Sequence, residues 1–116
     1  MNGAIIPVKE EIYSSTETPI GVYGNKTLYR RVINFGSVSA STDTVVLNDA
    51  SLLGVDVISL TGTGIQSDSS IVNLGHYYDS TSYSAIWFRG ELGTGRIFVR
   101  NKSALSGGYV TLIYAK

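Results

Sequence analysis

The feature that most constrains this chain is a rhythm. Short runs of β-branched and aromatic residues in period-two alternation are broken at brief intervals by Gly, Asn, Asp and Ser. Alternation at that period sends successive side chains to opposite faces, so such runs suit half-buried strands, and the frequent punctuation keeps each strand short. Hydrophobic residues form 43% of the chain and charged residues 16%, while helix-forming runs are nearly absent. That balance disfavours helices. The expected fold is all-β: one antiparallel β-sandwich, jelly-roll-like or immunoglobulin-like, of about eight short strands. A chain of 116 residues has the size of one domain and buries roughly two-thirds of its unfolded surface.

The clearest hairpin joins Ile20-Gly21-Val22-Tyr23 to the run from Leu28 to Phe35 through Gly24-Asn25-Lys26, where Gly and Asn tolerate the positive φ of a tight reversal. In the second run Leu28, Arg30, Val32 and Asn34 share one face, and Tyr29, Arg31, Ile33 and Phe35 the other. Further strands are expected at Thr44 to Leu47, Val55 to Thr63, Ser70 to Leu74 with an extension toward Tyr78, Ser84 to Arg89, Arg96 to Arg100, and Gly108 to Tyr114. Ile58 and Leu60 are expected to enter the core. Asn48 to Gly54 suits one helical turn capped by Asn48 or Asp49. Thr61-Gly62-Thr63-Gly64, Gly93-Thr94-Gly95 and the stretch from Asn101 to Gly107 read as turns. Residues 1–18, polar and ending in Ser14-Ser15-Thr16-Glu17-Thr18, read as an arm or connector, and residues 19–116 as the single sandwich domain.

Composition excludes several kinds of chemistry. Basic and acidic residues balance at nine each, so no net positive field gathers a phosphate backbone, and nucleic acid is not an expected partner. No run approaches the ~20 apolar residues of a bilayer span, and Met1 to Pro7 lacks a basic segment followed by an apolar one. Neither membrane insertion nor a signal peptide is expected. With no cysteine, disulfides, thiolate catalysis and cysteine-ligated zinc drop out. Stability then has to come from packing, to which partner subunits would add, one reason to expect an oligomer. The glycine pairs lack the Gly-Lys-Ser/Thr ending of a phosphate loop, and the scattered carboxylates offer no assignable acid/base pair. No cofactor and no metal are expected.

His76 is the only histidine, which removes paired-histidine metal sites and leaves any hydrolytic triad dependent on this one imidazole. A ligand-binding reading makes His76-Tyr77-Tyr78-Asp79 a sugar-gripping loop, with aromatic rings on the sugar's apolar face and Asp79 accepting from its hydroxyls. The competing reading is a strand end with ordinary tyrosines. Of Trp87 and Phe88, alternation sends one inward and the other toward solvent or a neighbouring subunit. An exposed Trp87 would extend a sugar or protein contact, although a lone tryptophan in a small β domain is more often buried. Arg30-Arg31 would either reach a carboxylate across a subunit interface or blunt an exposed strand. Arg89, Arg96 and Arg100 form either a basic stripe or a solvated edge.

The segment Glu17 to Gly36, with its Gly24-Asn25-Lys26 turn followed by Tyr29-Arg30-Arg31-Val32-Ile33, resembles modules of bacteriophage and prophage tail fibres, baseplates and head appendages. The closing Tyr109-Val110-Thr111-Leu112-Ile113-Tyr114-Ala115-Lys116 is similar to the terminal strand of such modules. Between them, Ser37 to Lys102 matches only in its rhythm of short strands, and the usual Gly-Lys pair is interrupted by Asn25. The resemblance implies a non-enzymatic, commonly homotrimeric virion component that contacts other virion proteins, with Tyr29, Arg30 and Arg31 as interface candidates. A carbohydrate-binding module for cell-surface glycans is the alternative expectation, and a small hydrolase built on His76 a remote one.

Overall fold

The structure, a computed structural model, describes residues 15–75 and 84–116. Its elements are β1 (Thr18–Tyr23), β2 (Lys26–Phe35), β3 (Thr44–Asp49), a 3₁₀ turn (Ala50–Leu52), β4 (Asp56–Gln66), β5 (Ile71–Leu74), β6 (Ser84–Glu91), β7 (Thr94–Asn101) and β8 (Leu105–Ala115). They form two antiparallel sheets, the larger ordered β1-β2-β8-β4-β5 and the smaller β3-β7-β6. The chain changes sheet after β2, β3, β5 and β7. The expected antiparallel sandwich is what forms. Among the described residues no helix is long and apolar enough to cross a membrane.

Period-two alternation sorts the side chains. On β2 and β8 the inner pairs are Tyr29 with Tyr114, Arg31 with Leu112, Ile33 with Val110 and Phe35 with Gly108, matching the face expected from alternation along β2. The smaller sheet contributes Ile97 and Val99 from β7, with Ile86 and Phe88 of β6 packed against them. Val38, Leu52 and Leu105 close the ends of the core, and Val38 and Leu105 exchange two main-chain hydrogen bonds of 2.9 Å. Each fully buried Leu, Ile or Val side chain stabilises by roughly 1.5–3 kcal/mol before entropy is counted. The helical turn after β3 is present as 3₁₀, and Asp49 caps it by accepting from the Ser51 amide at 2.9 Å.

Four expectations are corrected. Ile58 is 41% exposed rather than buried, because a bulge sits between Val57 and Ser59 and resets the alternation. Beyond it, Leu60, Gly62 and Gly64 face inward opposite Leu112, Val110 and Gly108. Thr61 to Gly64 is therefore strand interior, not turn. Gly62 sits in a crowded place: a Cβ there would lie 3.0 Å from side chains of both Ile86 and Leu74, which would have to give way. The reversal between β6 and β7 uses Leu92 and Gly93, both at positive φ, while Thr94 and Gly95 already belong to β7. Likewise the last strand begins at Leu105, inside the stretch read as a turn.

Candidate binding site

His76, Tyr77, Tyr78 and Asp79 lie outside the described residues. Trp87 is half-buried on the outer face of the smaller sheet, and the expectation of a core tryptophan gives way to a core Phe88. Cross-strand pairing sets Trp87 opposite Phe98, the rings stacking with centroids 5.3 Å apart and planes 5° from parallel. Arg89 covers the same Phe98 ring at 5.0 Å, so an outward-facing phenylalanine is sheltered. Arg89 and Arg96 are cross-strand partners on this face. Each of these arginines has an acidic partner, Glu91 (3.3 Å to Arg89, 3.5 Å to Arg96) or Asp43 (2.9 Å to Arg100), so the stripe reading loses most of its charge.

The interface candidates separate by face. Tyr29 stacks on Tyr114 at 5.8 Å inside the sandwich, with Lys116 over its ring at 5.5 Å. Arg31 also points inward. It donates to Asp49 at 2.7 Å and, through Nε, to the Ser15 carbonyl at 2.9 Å, so its charge is used within the chain. Arg30 lies on the outer face beside Ile113. Here the connector is fastened as well: the Tyr114 hydroxyl donates to Glu17, and Lys116 pairs with Glu17 at 2.9 Å. Burial pushes the Glu17 carboxyl up, but the hydrogen bonds from Tyr114 and Lys116 outweigh it and hold the group below the ordinary carboxylate value. Arg31, followed by the hydroxyl and amide of Ser51, lowers Asp49 to about 2. Burial, then the Glu17 contact, raises Tyr114 well above a free phenol.

Each described carboxylate is committed in this way. Lys26 holds Asp56, Ser70 holds Asp68, and the rest are named above.

Among the described residues, one concavity with free polar groups lies on the outer face of the larger sheet, a pocket of about 380 Å³. Register builds it. On β4 and β8, Thr61 sits opposite Thr111 and Thr63 opposite Tyr109, and on β5 Asn73 sits opposite Thr63. All five residues line the pocket, together with Gly62, Leu74 and Gly75. The Tyr109 side of the wall is 39% exposed. Sequence reading missed this site because it took Thr61-Gly62-Thr63-Gly64, at the end of the expected strand, for a turn. The available signal was the Thr61, Thr63 alternation, which has meaning only once β8 is known to be the neighbour. Comparison of the chain with protein-family models, curated proteins and solved structures finds no match.

Proposed function

We propose that the chain is a non-enzymatic bacteriophage virion module, a homotrimeric appendage or fibre domain that serves assembly or adhesion to the host surface. The observation that carries the reading is the placement of the two segments that resemble such modules. The first becomes the β1–β2 hairpin and the second becomes β8, and β2 and β8 are neighbours over an unbroken register from Leu28 with Ala115 to Phe35 with Gly108. Segments far apart in sequence thus form one contiguous structural unit. A second observation concerns assembly. β1, an edge strand among the described residues, presents Ile20 at 38%, Val22 at 76% and Tyr23 at 54% exposure, apolar surface at a sheet edge, which suits contact with another subunit.

Light scattering of the purified chain across a range of concentrations tests the reading. A mass three times that of the chain, stable on dilution and lost in Val22→Asp, is the expected result. A monomer at every concentration overturns the trimeric appendage.

A further inference from the structure

We propose that the outer-face pocket of β4, β5 and β8 is a binding site for a neutral pyranose sugar. Three observations define that ligand. First, the polar groups are unspent. Thr61, Thr63, Asn73, Tyr109 and Thr111 make no side-chain hydrogen bond among the described residues, whereas Thr18, Thr42, Thr44 and Thr94 each donate to a main-chain carbonyl. Hydroxyls that both donate and accept, together with one amide that does the same, match the paired donor and acceptor character of sugar hydroxyls.

Second, among the described residues no carboxylate, ammonium or guanidinium lines the pocket. A phosphate, an acidic sugar or an amine would give up its hydration there without a compensating charge. Third, the geometry suits one ring. Alternate residues on a strand are about 7 Å apart and adjacent strands about 5 Å apart, a grid comparable with the distance across a hydroxylated six-membered ring. Tyr109 adds an exposed aromatic face for the ring's C–H side. The volume of about 380 Å³ falls at the small end of ligand pockets. Because the groups stand on paired strands rather than on a loop, they are held in place before binding.

The site gives the adhesion part of the proposed function a ligand class, but its chemistry rests on the pocket alone, so the two fail separately. The light-scattering mass is indifferent to sugar. The test here is a ¹H–¹⁵N titration of the full chain with methyl glycosides of glucose, galactose, mannose and N-acetylglucosamine. At least one is expected to shift the amides of residues 61–63, 73–75 and 109–111 selectively, with a dissociation constant of about 1 mM or weaker, as suits a few neutral hydrogen bonds in an open pocket. Tyr109→Ala should weaken that binding at least about tenfold and Thr63→Val about threefold, in line with losing a ring contact or one neutral hydrogen bond, with both spectra otherwise retaining the wild-type dispersion. No response to any of the four at about 50 mM, well above the weakest affinity of interest, overturns the proposal. So do shifts in these amides that track protein concentration and ignore every sugar, since they would make the face a subunit contact.

Discussion

Asp49 does three jobs with one carboxylate. It ends β3, caps the 3₁₀ turn through the Ser51 amide and hydroxyl, and neutralises Arg31, whose side chain is only 14% exposed. Its pKa falls from 3.8 to about 2 on folding, so the unfolded chain binds a proton more readily than the folded one. The resulting stability is present above pH 3.8 and is lost as pH falls toward 2. Glu17, also lowered, adds to the same trend. Urea midpoints measured over that window should therefore decline in the wild type. Asp49→Asn should have a lower midpoint at neutral pH and a shallower acid decline, retaining only what Glu17 and other carboxylates supply. Sequence alone named Asn48 or Asp49 as the cap. Arg31, the partner of Asp49, was read as facing a neighbour, because the pairing of β2 with β8, which turns Arg31 inward, joins strands far apart in the chain.

Among the elements, β7 shows how a small residue fixes a contact between strand and turn. Gly95 is packed so closely that a Cβ would lie 2.8 Å from the Leu52 Cβ and 2.9 Å from Phe88 Cζ. Gly95→Ala is expected to destabilise by about 1–3 kcal/mol through overpacking. Gly36→Ala, whose added carbon would meet nothing within 4 Å, should change stability by less than about 0.5 kcal/mol. Thermal or urea unfolding of the two variants checks the contrast. Strand identity was legible wherever alternation ran unbroken, as in β2, β6 and β8. It failed at Gly62, Gly64 and Gly95, where glycine signals crowding inside a sheet rather than reversal, and composition does not distinguish the two. The bulge that exposes Ile58 was hidden for a related reason: an inserted residue switches the face of every later residue in the strand without altering the run of residue types.

Over the whole molecule, class and strand rhythm could be read from the chain, but neighbour relations could not. The candidate pocket is made entirely of such relations: Thr61 with Thr111 and Thr63 with Tyr109 are each brought together only by β8. That strand lies between β2 and β4 and supplies Val110, Leu112 and Tyr114 to the core, each fully buried. A chain ending at Gly107 should therefore lack the dispersed amide spectrum of a folded domain, instead of retaining a weakened sandwich, and one ¹H–¹⁵N spectrum decides it.

The position of β8 also bears on how the fold is reached. Synthesis runs from the N-terminus, so β2 and β4 are made with a vacancy between them, and their shared neighbour emerges after all the other described strands. Contacts separated by most of the chain then have to form together rather than in sequence, which slows folding and leaves apolar strand faces open in the interval. In the cell, the hazardous moment for this sandwich is the wait for β8.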